Sequence, residues 1–205
     1  MTDNFKNKAS DWDSPMKVEM SGRFVEEMVR NVKFDKSVKA MDLGCGTGLV
    51  GLSILNEIKS LIMVDNSKAM IDKLKEKIEV IEQNNETSLK EKVKIINGSI
   101  EKYTARDLDI IFSLMAMHHI ENIEALFEQI SKILKPGGIL VIGDLCEEDG
   151  SFHGEEIVPN NGFNIESLSK QIEACDIEIV KTYTYNTIKK NDREYDQFII
   201  IAQKI

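Results

Sequence analysis

Apolar positions along the chain follow two rhythms. From Pro15 to Val32 they fall at Met16, Met20, Phe24, Met28 and Val32. A spacing of four marks one face of a helix, and Pro15 suits its first turn. Val38 to Leu43 is a short apolar strand that runs into glycines, and LVGLSILNEI continues as a helix. Residues 61–64 form a second buried strand ended by Asp65, and Ser67 caps a helix from Lys68 to about Gln83. Val93–Ile96 and Asp109–Leu114 are the next strands. A helix from Ile123 to Leu134 stops at Lys135-Pro136-Gly137-Gly138, and Ile139–Ile142 is the fifth strand. Residues 146–163 read as a long loop, followed by a helix over Ile165–Ala174. The tail changes character. Ile177–Tyr185 alternates apolar and polar, Tyr195–Ala202 is β-rich, and only NTIKKNDRE lies between them. Strands joined that way pair antiparallel. The remainder alternates strand and helix, which predicts a doubly wound, mostly parallel α/β sheet with helices on both faces. One domain over 1–205 is expected, with 1–33 as a possible lid.

Composition narrows the partners. The 205 residues carry a net charge of −9, with 42% hydrophobic and 30% charged residues. That balance fits a packed globule. The cationic clusters Lys73–Lys77 and Lys189–Arg193 are interrupted by acids, so no basic face for nucleic acid is expected. No apolar run is long enough to span a bilayer, and residues 1–10 have no apolar core for a secretory signal. Cys45, Cys146 and Cys175 fit neither a disulfide framework nor a metal set, so a reducing cytoplasm and no metal are expected.

The stretch Asp42-Leu43-Gly44-Cys45-Gly46-Thr47-Gly48 carries the most chemistry. A strand that ends in glycines and opens a helix lets backbone approach a ligand closely. Gly46, Gly48 and Gly51 also satisfy the dinucleotide spacing, which keeps a nicotinamide-dependent oxidoreductase as a rival. Against it, the first glycine after the strand is Gly44, and Asp42 would repel a pyrophosphate. A carboxylate there attracts positive charge, such as an amino group or a sulfonium. Asp65, at the end of the second strand, stands where an acid meets ribose hydroxyls.

These residues resemble the class I S-adenosylmethionine-dependent methyltransferases. The likeness rests on DLGCGTG (42–48), VDNSKAM (64–70), SLMAMHHI (113–120), LKPGG (134–138) and the terminal hairpin. It implies a seven-stranded sheet with the last strand inserted antiparallel between the fifth and sixth. It also implies that Gly44, Cys45 and Gly46 run beside the methionine part of S-adenosyl-L-methionine and that Asp65 holds the ribose. Asn66 and Met70 would border the adenine, and the backbone near Met115 would lie close to the cofactor. Where the family commonly has an acid after the third strand, this chain has Gly98-Ser99, and serine still accepts a hydrogen bond.

The implied activity is methyl transfer to a small molecule, since no separate recognition domain is visible. A non-catalytic binding module and a methyltransferase acting on protein or RNA remain alternatives. The candidate bases are His118, just past the fourth strand, and His153, in the loop after the fifth. His119 ranks third, because neighbouring side chains in an extended segment point opposite ways. Residues 1–14, with Trp12, and 146–163, with Phe152, are candidate lids.

Overall fold

A computed structural model describes residues 12–85 and 88–205. Its seven strands form one sheet in the order β3-β2-β1-β4-β5-β7-β6. The strands are β1 (Lys39–Leu43), β2 (Ser60–Asp65), β3 (Val93–Asn97), β4 (Leu108–Leu114), β5 (Leu134–Leu145), β6 (Ile177–Lys190) and β7 (Arg193–Lys204). The helices are α1 (Pro15–Asn31), α2 (Leu49–Ile54), α3 (Lys68–Asn85), α4 (Ile123–Ile133) and α5 (Ile165–Glu173). β1 to β5 run parallel, and β7 enters antiparallel between β5 and β6. The expected α/β sheet and its inserted last strand are therefore present.

The central strands are nearly continuous apolar runs because both faces are covered. Met41, Ile62, Ile111, Leu140 and Phe198 face one core with Phe127 and Ile130 of α4. Ala40, Leu61, Ile110 and Val141 face the other, with Phe24 and Met28 of α1. Gly143 shows how tightly α1 sits. A Cβ there would lie 2.6 Å from the Phe24 ring. Burying that ring contributes about 1.5–3 kcal/mol. Among the described residues, no helix is long and apolar enough to cross a membrane.

Two expected boundaries are corrected. β5 starts at Leu134, well before Ile139. Pro136 and the glycines do not interrupt it. Its pairing with β4 shifts between Leu108 and Ile110, and Gly137 takes φ 76 within the irregular stretch. Bulges and strand beginnings are where a sheet tolerates proline. The terminal hairpin is also longer than its alternation suggests. Its strands run on to a two-residue turn, Asn191-Asp192, with φ 51 and 58. Such a turn matches strand twist, and Asn and Asp tolerate positive φ.

Candidate active site

The glycine turn lies at the carboxyl end of β1, between β2 and β4. Gly44 N and Cys45 N both donate to Val64 O, at 2.8 and 3.0 Å. Gly44, Gly46 and Gly48 have φ of 74, 52 and 85. A Cβ on Gly44 would sit 2.2 Å from Ala116 Cβ, so the β4 exit loop packs directly on bare backbone. Asp65 ends β2 beside this turn. Its Oδ2 accepts from Gly46 N and its Oδ1 from Ser67 N, both at 2.8 Å. These bonds fix the carboxylate at the mouth of the turn.

Asp42 lies beneath the turn. Its Oδ2 accepts from Gly51 N at 2.9 Å, and burial pushes its carboxyl up to about 7. A Cβ on Gly51 would lie 2.7 Å from that oxygen. The third glycine of the apparent dinucleotide spacing thus serves the approach of α2 to Asp42. Burial, together with the Asp42 and Asp65 charges, pushes the Cys45 thiol well up. Asn66 is exposed at the end of β2, and its carbonyl accepts from Asn97 Nδ2 at 3.2 Å. Gly98 donates to Asp65 O at 2.9 Å, and Ser99 opens a short turn over Ile100–Lys102. Met70 lies in the first turn of α3 and is 1% exposed. The structure thus gathers Asp42, Gly44, Cys45, Gly46, Asp65, Asn66, Gly98 and Ser99 at the ends of three adjacent strands, with Met70 packed below.

The segment before α1 crosses the turn. Asp13 Oδ1 accepts from Thr47 Oγ1 at 2.6 Å, and Asp13 also pairs with Lys77. Lys77 in turn donates to Thr47 O at 2.9 Å. The Trp12 indole lies 3.5 Å from where a Cβ on Gly46 would be. Residues 1–11 of the candidate lid lie outside the described residues.

Beyond β4 the backbone turns sharply. Met115 has φ 52 and donates to Gly143 O at 2.8 Å. Met117–His119 then form a 3₁₀ turn. This corrects the extended geometry expected there. In the turn, His118 and His119 point the same way, with ring centroids 4.2 Å apart. His153 joins them from the loop, 4.7 Å from His118 and 5.7 Å from His119. Among the described residues, no group of three or more His, Cys, Asp and Glu is placed to hold a metal ion.

Asp144 organises this cluster, and nothing in its sequence context marks it. It is fully buried near the end of β5. Its Oδ1 lies 2.6 Å from His118 Nδ1 and accepts from Leu145 N at 2.8 Å. Its Oδ2 accepts from Met117 N at 3.0 Å and His118 N at 3.3 Å. A carboxylate at Nδ1 assigns the proton there and leaves Nε2 as the basic nitrogen. Burial and the neighbouring histidines push His119 down to about 4, and burial also lowers His153. Both are therefore neutral at pH 7.

The loop 146–163 covers the histidines and is tied at its base. Glu147 N donates to Phe163 O and Phe163 N to Leu145 O, at 3.0 and 2.9 Å. Asn160 N donates to His118 O at 3.1 Å. At the tip, Phe152 packs with Leu145, Ile188 and Tyr195, and Arg193 pairs with Asp149 at 2.8 Å.

A family model described as a methyltransferase domain matches residues 41–142, from β1 into β5. An uncharacterized methyltransferase of Schizosaccharomyces pombe is 27% identical over 128 residues, 62% of this chain and 45% of that protein. The chain spans about half the length of the curated relatives it matches. Among solved structures, a putative methyltransferase of Haloferax volcanii, in complex with the Trm112 methyltransferase activator, superposes with a TM-score of 0.80. It is 13% identical, and the match covers 99% of this chain and 98% of that one. A Haemonchus contortus phosphoethanolamine N-methyltransferase in complex with S-adenosyl-L-methionine has a TM-score of 0.70 at 16% identity, covering 89% and 52%. At such identities these structures establish the fold.

Proposed function

The chain belongs to the class I S-adenosylmethionine-dependent methyltransferases, and from that premise we propose that it transfers a methyl group to a small molecule. The residues present fit the cofactor. The glycine turn offers bare backbone where a side chain at Gly46 would meet the Trp12 indole, and Asp65 is fixed beside it. Asp65 would accept both ribose hydroxyls, Gly44 to Gly46 would border the methionine part, and Asn66, Gly98 and Ser99 would flank the adenine. When bound, S-adenosylmethionine supplies an electrophilic methyl and its own leaving group. What remains for the chain is to align the nucleophile, exclude water and receive a proton when the acceptor carries one.

His118 and His153 are assigned the last task. Asp144 holds Nδ1 of His118, so Nε2 receives the proton, and His153 closes over it from the loop. The observation that carries this reading is the position of the buried Asp144–His118 pair. It lies at the ends of β4 and β5, next to the strand that carries the glycine turn. In an open α/β sheet, ligands gather outside those strand ends. The test is incubation of the protein with methyl-labelled S-adenosylmethionine and a cell metabolite extract. Label should appear in a small molecule. Label in protein or RNA only, or none in any fraction, would refute the proposal.

A further inference from the structure

A second set of buried polar groups lies under α1, apart from the histidines. Asn186 faces Gln197 across the β6–β7 pair, and its Nδ2 donates to Gln197 Oε1 at 2.7 Å. Arg23 Nη1 of α1 donates to Asn186 Oδ1 at 3.0 Å. A guanidinium only donates, so the orientation of both amides follows from this chain. Gln197 Nε2 is then left with its two N–H groups. Gln197 is fully buried, and Nε2 has no hydrogen-bond partner among the described residues.

The register of the hairpin adds a second donor. Thr184 pairs with Phe198 and Asn186 with Gln197, so Tyr185 is the extra residue of a β-bulge. A bulge re-aims a side chain, and bulges gather beside active sites. Tyr185 is turned to the α1 side, where its ring lies 6.1 Å from that of Phe24. Its hydroxyl is buried and also lacks a hydrogen-bond partner among the described residues. An unpaired buried polar group gives up its hydrogen bonds to water for nothing in return, so two on one face call for an explanation.

Position and charge supply it. Gln197 pairs with Leu145 at the carboxyl end of β5. Leu145 belongs to the apolar cluster of Phe152, Ile188 and Tyr195, against which Met20 and Met115 pack. Asp144 and Glu27 both act on Tyr185 electrostatically, and both are acidic. Of the nearby cations, Arg23 is already engaged by Glu19 at 2.7 Å and by Asn186, and Arg30 is engaged by Glu27. A groove of about 570 Å³ between α1 and β6, lined by Arg23, Glu26, Glu27 and Tyr185 among others, reaches Tyr185 from outside, and Gln197 lies behind Asn186. Two donors in an acidic, apolar setting suit a neutral oxygen and repel an anion.

We infer that Tyr185 Oη and Gln197 Nε2 form a two-donor subsite that holds a neutral carbonyl or carboxamide oxygen on the apolar body of the methyl acceptor. This rests on the methyltransferase reading and narrows its substrate class.

The experiment uses benzamide as the probe, with benzoate and ethylbenzene as controls, added to the full chain labelled with ¹⁵N in glutamine side chains. Gln197→Met identifies the Gln197 amide signal. Benzamide should move that signal and bind at least tenfold more tightly than either control. Tyr185→Phe should weaken benzamide binding about tenfold while leaving the melting temperature equal or higher, because the lost hydroxyl has no partner among the described residues. A solely structural tyrosine would instead lower the melting temperature and spare binding. No movement of the signal, preference for benzoate, or equal binding of ethylbenzene would overturn the inference. Calorimetry of the same samples with S-adenosylhomocysteine separates the two readings. Its failure would remove the methyltransferase assignment and leave the benzamide result standing.

Discussion

The β1–β3 end of the sheet and the β4–β7 end solve different problems by different means. At β1–β3 the site is made of backbone, with three glycines at positive φ, strand-end amides and one carboxylate held by two N–H groups. At β4–β7 it is made of side chains from distant parts of the chain. His118, Asp144 and His153 meet in one place, and Arg23, Asn186 and Gln197 in another. A backbone site is rigid and suits a constant ligand. A side-chain site can change one residue at a time, as a changing acceptor requires.

The largest effects should separate the two ends cleanly. Once an acceptor that must shed a proton is known, His118→Ala should lower turnover about 10²–10⁴-fold, the usual contribution of a general base. Cofactor affinity should stay within a few fold. Full turnover with an unchanged pH profile in both His118→Ala and His153→Ala would remove base catalysis from these residues. Asp65→Ala should do the reverse. It loses two charge-assisted hydrogen bonds, each worth roughly 1.5–3 kcal/mol before relaxation, so affinity for S-adenosylhomocysteine should fall about 100-fold or more. Unchanged affinity by calorimetry would make Asp65 only a cap for α3.

That asymmetry also explains what was legible in the sequence. DLGCGTG and Asp65 announce themselves because backbone sites need particular residue types at close spacing. The alternation of strands and helices likewise predicts the sheet, down to the inserted β7 once the family likeness is admitted. Asp144 was silent, since a lone acid in Gly-Asp-Leu looks like a strand end. The convergence of His118 with His119 depends on a 3₁₀ turn that the apolar pattern of SLMAMHHI conceals. His153 reaches them only through the folding of a loop. The bulge at Tyr185 is a matter of register, which alternation alone does not reveal.

Smaller effects sharpen the contrast. Gly44→Ala combines positive φ with a 2.2 Å approach to Ala116, and Gly154 has positive φ with nothing within 4 Å. Denaturant unfolding should show roughly 2–4 kcal/mol lost at Gly44 and about 1 kcal/mol at Gly154. Equal losses would show that the turn relaxes freely.

Protonation gives the finest test. Because burial holds His119 neutral, the unfolded chain binds a proton there between pH 6.5 and about 4 that the folded chain refuses. Its contribution to stability is therefore present above 6.5 and is lost as pH falls towards 4. The imidazole signal of His119 should titrate near 4 by nuclear magnetic resonance, and a midpoint near 6.5 would contradict the packed cluster. Asp42 behaves oppositely, with a carboxyl raised to about 7 by burial. A cationic ligand above it should drive its proton off. At pH 7, S-adenosylmethionine should release more protons on binding than S-adenosylhomocysteine does, as read from calorimetry in two buffers. Equal release would mean that Asp42 does not sense the sulfonium.

Cofactor calorimetry on the wild-type chain tests the central claim most directly. The backbone turn and Asp65 predict micromolar binding of S-adenosylmethionine and S-adenosylhomocysteine and no measurable binding of NAD. Tight binding of NAD with no binding of S-adenosylmethionine would contradict it.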